Sequence, residues 1–284
     1  MLEAAHVPRP RWTAQQLLSH RLSCQPIELY LKPPSLSPDQ LVHFHADVAA
    51  RASGVPLQYL MKSASFYGRE FSVGPGVFIP RPETEILIDV VLDVIASDQR
   101  ERSNLEIASA SPRNDELIVV DVGTGSGAIA ITLKLENPHF RIFGVDTSTS
   151  ALSFARRNAD RHRANVAFLR GNLLDSFRPE SVDLMVANLP YLDPEEAPRW
   201  PKELHWEPWM ALDGGERGFF LMEQLIRQAA LALRPEGRLV LEEGAGQTQG
   251  IRSFASSHGL EVEGIVCDLA GLERVLVLQP PWKD

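Results

Sequence analysis

Ile118-Val119-Val120-Asp121-Val122-Gly123-Thr124-Gly125-Ser126-Gly127-Ala128 decides how the rest of this chain is read. A β-branched run ends on three closely spaced glycines, and helical apolar spacing follows from Ala128. Glycine permits a sharp backbone turn after a strand and leaves no Cβ to block a ligand. Beyond this stretch, short β-branched runs alternate with helical segments, the pattern of a doubly wound α/β fold with a mostly parallel sheet. Seven strands are expected, at 117–121, 141–146, 166–170, 182–187, 238–242, 262–267 and 274–278. Helices are expected at 128–136, 149–162, 219–234 and 247–258. In such folds the carboxyl edge of the sheet binds the ligand.

Upstream the chain has another character. From Trp12 to Ala64 apolar residues recur at spacings of three and four, including Leu17, Leu18, Leu22, Leu41, Phe44 and Val48. Prolines interrupt this pattern at 33, 34 and 38, and Ser37 before Pro38 marks a helix start. The residues 66–79 alternate around Gly74-Pro75-Gly76 and read as a hairpin. The organisation expected is a small helical domain at 1–64, a hairpin linker at 65–82 and a main domain at 83–284. Within the last, 86–95 has helical spacing and the polar stretch 97–114 reads as a loose connection.

Composition bounds the function. With 284 residues, 44% of them hydrophobic, the chain can bury a full α/β core and a smaller helical one. No segment has signal-peptide character or the length of an apolar membrane span, so a cytoplasmic protein is expected. Two distant cysteines, Cys24 and Cys267, support neither a disulfide framework nor a zinc site and read as small core residues. A net charge of −9 opposes stable binding of nucleic acid through phosphates. Arg156, Arg157, Arg161, Arg163 and Arg170 form a local basic strip, which reads as a solvated helix face.

The glycine turn implies a nucleotide-like ligand, and Asp146 at the end of the next strand suits a ribose hydroxyl. By itself Gly123-Thr124-Gly125-Ser126-Gly127-Ala128 also fits a nicotinamide or flavin site, or a cofactor-binding scaffold without activity. The fourth strand separates these readings, because it ends in Asn188-Leu189-Pro190-Tyr191, which has no role in hydride transfer.

Taken together, DVGTGSG, GVD and ANLPY resemble motifs of the class I S-adenosyl-L-methionine-dependent methyltransferases that act on planar nitrogens. The chemistry accounts for the residue types. A planar amide or amine nitrogen has a delocalised lone pair and is activated by hydrogen bonds rather than by a strong base. The Asn188 side-chain oxygen and the Leu189 main-chain oxygen would each accept one N–H and stabilise developing positive charge. Pro190 would stiffen the loop, and Tyr191 would stack on the acceptor. Leu189 departs from the more usual proline, and Asn-Leu-Pro-Tyr also resembles enzymes that methylate adenine amines. The motif alone therefore leaves glutamine and adenine open.

Two further segments favour glutamine. Phe78-Ile79-Pro80-Arg81-Pro82-Glu83-Thr84-Glu85 resembles the Pro-Arg-Pro-Glu-Thr-Glu signature of the release factor glutamine methyltransferases. The run from Glu207 to Gly218, EPWMALDGGERG, is similar to another segment of that family. The resemblance implies methylation of the glutamine in the Gly-Gly-Gln loop of class I peptide-chain release factors, docked in part by the helical domain. It implies S-adenosyl-L-methionine contact by Gly123, Thr124, Gly125, Ser126, Gly127, Asp146, Asn172, Leu173 and Asn188, and substrate contact by Asn188, Leu189, Pro190 and Tyr191. At Asn172 relatives often carry aspartate, and asparagine can still accept through its carbonyl. Thr84, at a helix start, is the expected hydrogen-bonding residue of its segment toward the cofactor. No metal is expected, and nothing requires more than a monomer.

Overall fold

The computed structural model describes residues 1–106 and 116–281. Its N-terminal part is helical: α1 (Pro10–Leu22), α2 (Glu28–Leu31), α3 (Pro38–Ala52) and α4 (Leu57–Met61). Helix α3 begins where Ser37 suggested, and the cap is reciprocal. Ser37 Oγ accepts the Gln40 N–H at 3.2 Å while Gln40 Oε1 accepts the Ser37 N–H at 2.9 Å. Arg21 on α1 is clamped by Asp47 on α3, with Nη2 2.7 Å from Oδ1.

A hairpin follows, β1 (Ser63–Phe66) and β2 (Arg69–Ser72), and it is not where the glycines and proline pointed. Its two-residue turn is Tyr67-Gly68, with φ of 50° and 69°. A tight turn between twisted strands needs positive φ at both positions, and this pair supplies it. Gly74-Pro75-Gly76 instead forms a separate turn, closed by Val77 N–H to Gly74 O at 3.2 Å.

The remainder runs α5 (Glu85–Glu106), β3 (Ile118–Val122), α6 (Ala128–Glu136), β4 (Arg141–Asp146), α7 (Thr149–His162), β5 (Ala167–Arg170) and β6 (Val182–Ala187). Then come α8 (Phe220–Ala232), β7 (Leu233–Glu242), α9 (Thr248–Ser257), β8 (Glu261–Cys267) and β9 (Glu273–Gln279). The expected connection from 97 is helical as far as Glu106. Gln, Arg and Glu are competent helix formers, so a polar run need not be a loop. The rest of that expected connection, 107–114, lies outside the described residues.

Seven strands form one sheet in the order β5-β4-β3-β6-β7-β9-β8, with β9 antiparallel to both its neighbours and the other pairings parallel. Alternating residues serve opposite faces. Val119, Leu184, Val186 and Val240 pack with residues of α5 and α6, while Val120, Met185, Leu239 and Leu241 pack with residues of α8 and α9. From β3 the chain fills one side of the sheet through β4 and β5, then returns to lay β6 on the other side of β3. The crevice beyond the carboxyl ends of β3 and β6 is therefore the topological switch point, where this architecture binds ligands.

Two smaller expectations resolve here. The arginine strip is exposed on and after α7, with Arg157 over the Phe154 ring, as a solvated face should be. The cysteines are not core residues: Cys24 is half-buried, and Cys267 is exposed at the end of the edge strand β8. No described helix is long and apolar enough to cross a membrane.

Candidate active site

A cavity of about 360 Å³ opens at the switch point, within the size range of small-molecule sites. Its floor is the glycine loop after β3. The N–H groups of Gly123 and Thr124 both donate to Val145 O, at 2.8 and 2.9 Å, and the Gly125 N–H donates to Asp146 Oδ2 at 2.9 Å. Beneath the loop, fully buried Asp121 accepts from Thr124 Oγ1 at 2.6 Å and from the Ala130 N–H at 3.1 Å. Burial pushes the Asp121 carboxyl up to about 7 against these bonds.

Gly123, Thr124, Gly125 and Ser126 line the cavity, and Gly127 does not. That glycine caps α6 with φ of 80°, and a Cβ there would lie 3.2 Å from the Ala155 Cα of α7. It lets two helices approach, which gives Gly127 a packing role.

Asp146, at the tip of β4, lines the cavity with its carboxylate held by the N–H groups of Gly125 and Ser148, the latter 2.8 Å from Oδ1. Burial raises its pKa, and these backbone donors work the other way. Each oxygen keeps acceptor capacity for a hydroxyl. Asn172 and Leu173, after β5, lie on the same wall. Leu173 has φ of 48°, and the following Leu174 N–H is held by Gln228 Oε1 of α8 at 2.7 Å.

Beside the glycine loop stands the loop after β6. Asn188, Leu189, Pro190 and Tyr191 all line the cavity. The Asn188 side-chain NH2 donates to Thr84 Oγ1 at 2.8 Å, which leaves its carboxamide oxygen for another partner. Thr84 closes the 3-10 turn Pro82–Thr84 and is buried. Near the end of β7, Glu242 Oε2 is buried without a hydrogen-bond partner among the described residues, and the Thr84 and Tyr191 hydroxyls favour its ionised form. Thr84 borders the cavity, and its hydroxyl oxygen is engaged by Asn188. Burial pushes Glu242 up to about 7, and Tyr191 up to about 12.

The mouth is formed by a long excursion, residues 193–212, closed at its neck by Leu192 N–H to Leu212 O at 3.1 Å and Gly214 N–H to Leu192 O at 2.9 Å. Inside the excursion, buried Glu207 accepts from the Ile79 N–H at 2.9 Å and pairs with Arg81. Glu203 pairs with Arg51, the buried arginine of α3. Leu204, Pro208 and Met210 reach the cavity, and Met210 is largely exposed. Sequence reasoning assigned no role to Glu242 or Arg51, and it singled out Glu207 only as the start of a family-like run. Glu207 and Arg51 act through partners remote in the chain, which no local pattern announces. Among the described residues no group of His, Cys, Asp and Glu could hold a metal ion.

The residues fit a bulky nucleoside-bearing ligand: a glycine cradle, a carboxylate at a strand tip, and apolar walls. Comparison with known proteins agrees. Residues 1–61 match the family model described as PrmC N-terminal domain, and residues 113–263 match one described as methyltransferase domain. The chain is 36% identical to the release factor glutamine methyltransferase of Koribacter versatilis, over 99% of this chain and 95% of that protein. It is 35% identical to the enzyme of that name from Thermodesulfovibrio yellowstonii, over 94% and 91%, and 36% identical to that of Bacillus subtilis, over 84% and 80%. Among solved structures, a methyltransferase from Pyrococcus furiosus shares the fold with a TM-score of 0.51 at 14% identity, over 85% of this chain and 98% of that one.

Proposed function

Because the chain belongs to the release factor glutamine methyltransferase family, we propose that it transfers a methyl group from S-adenosyl-L-methionine to the glutamine side-chain nitrogen in the Gly-Gly-Gln loop of class I release factors. The observation that carries the reading is the placement of Asn188, its carboxamide oxygen unclaimed among the described residues, in one cavity with the Gly123–Ser126 cradle. When bound, S-adenosyl-L-methionine supplies an electrophilic methyl on a positively charged sulfur. Gly123, Thr124, Gly125, Ser126 and Asp146 would hold it, with Asn172 and Leu173 against its base.

The acceptor amide lies against Tyr191, and its two N–H groups are taken by Asn188 Oδ1 and the Leu189 main-chain oxygen. These two oxygens face positive charge as it grows on nitrogen, and they keep the lone pair in line. The proton is released to water once the new N–C bond has formed, so no strong base is needed. Residues 1–64 dock the acceptor protein, 65–82 link, and 83–284 carry out the transfer as a monomer in the cytoplasm.

Mass spectrometry of a release factor incubated with the protein and S-adenosyl-L-methionine tests this. One methyl group on the Gly-Gly-Gln glutamine is expected, and none when that glutamine is replaced. Methyl transfer to adenine in nucleic acid, with release factors untouched, would reverse the assignment.

A further inference from the structure

The Asn188 carboxamide can face the acceptor with its oxygen or with its NH2, and only the oxygen suits an amide N–H. The choice is not made within its own loop. Thr84, 104 residues earlier in the chain, holds the NH2 end at 2.8 Å. We infer that Thr84 is a positioning residue that holds the Asn188 NH2 and so turns the carboxamide oxygen toward the acceptor. This rests on the amide-methylation reading above.

A hydroxyl has one proton to give and lone pairs to receive. Thr84 Oγ1 spends a lone pair on the Asn188 NH2, so the other end of the carboxamide, its oxygen, is the one left for an acceptor N–H. Turning the carboxamide over would lose this bond unless the Thr84 hydroxyl turned its own proton as well. Thr84 is itself fixed. Pro82 begins its turn, the Thr84 N–H bonds Arg81 O at 3.1 Å, and Arg81 is tied to Glu207. Thr84 need not touch a reacting atom.

Two variants and two readouts test it. Thr84→Val keeps the shape and removes both the proton and the lone pair, whereas Thr84→Ser keeps both. With a release factor as acceptor, Thr84→Val is expected to lower kcat about 10²-fold, the effect of a misplaced group, with KM and the Kd of S-adenosylhomocysteine within about threefold. Thr84→Ser is expected to stay within about threefold of the parent. Unchanged kcat in Thr84→Val, or a loss confined to cofactor Kd, would overturn the proposal. Independently of activity, 15N NMR of the Asn188 side-chain NH2 should show solvent exchange about tenfold faster or more in Thr84→Val. Equal exchange rates also overturn it. If the unaltered protein labels no release factor, the functional reading fails, and the exchange rates alone decide the role of Thr84.

Discussion

A Cβ built on Gly123 would stand 2.9 Å from Leu189 Cδ2, so the two loops that define the cavity touch each other. Leu189 is buried there, and its side chain fills space above the glycine loop. The glycine is needed twice, for this contact and for its φ of 76°. Gly123→Ala should displace Leu189 and strain the backbone by about 1 kcal/mol or more. Calorimetry with S-adenosylhomocysteine is expected to show at least about tenfold weaker binding, roughly the same free energy again. Binding equal to the parent would mean that the loops yield without consequence.

Asn188→Ala removes the side-chain oxygen while leaving the cradle alone. A fall in kcat of about 10²-fold or more is expected, in keeping with loss of one preorganised contact to developing charge. The Kd of S-adenosylhomocysteine should move much less. Near-normal turnover would refute the activation scheme.

Glu242 links turnover to pH. Burial raises its carboxyl to about 7, with Arg274 and the Thr84 and Tyr191 hydroxyls opposing and the charge of Glu83 adding to the rise. Protonation below that value removes a negative charge beside Thr84 and Tyr191, so kcat should decline as pH falls through about 7. Stability runs the other way. A carboxyl raised in the folded state stabilises fully below its unfolded value of 4.5, and that contribution is lost as pH rises through about 7. Urea midpoints at about pH 5 and about pH 8 should therefore differ less in Glu242→Gln than in the parent, and the acid limb of kcat should vanish.

The Arg81 and Glu207 pair is unequally buried, the Glu207 side chain being 1% exposed and that of Arg81 28%. Arg81→Met strands a buried carboxylate with the Ile79 N–H, at a cost of about 2 kcal/mol once the partial exposure of the arginine is discounted. Adding Glu207→Gln to that variant should recover part of the loss in urea unfolding. Additive losses would show that the two side chains are not coupled.

Much of the sheet was legible because β-branched runs bounded by turns leave little choice of strand, and β4 and β6 fall at 141–146 and 182–187 as read. The hairpin was displaced because Gly74-Pro75-Gly76 is a stronger turn signal than Tyr67-Gly68, yet only the latter pair has the positive φ that two paired strands require. A glycine motif does not say which of its members packs against a helix, and the close approach of Gly127 to Ala155 was not legible. Thr84 was singled out for hydrogen bonding, and its partners were not legible. Asn188 and Glu242 reach it only through the order of strands, which places the ends of β6 and β7 side by side.

The closed neck at Leu192 and Gly214 makes the mouth of the cavity a self-contained Ω-shaped insert. Lengthening a loop whose ends are already pinned costs only about 0.6 kcal/mol per doubling. Apart from Glu203 and Glu207, which tie the insert to Arg51 and Arg81, residues 193–212 can therefore diverge in length and chemistry while Asn188 and Tyr191 keep their seats on the sheet. The rim of the cavity and the strand tips at its base are thus written on largely separate parts of one chain.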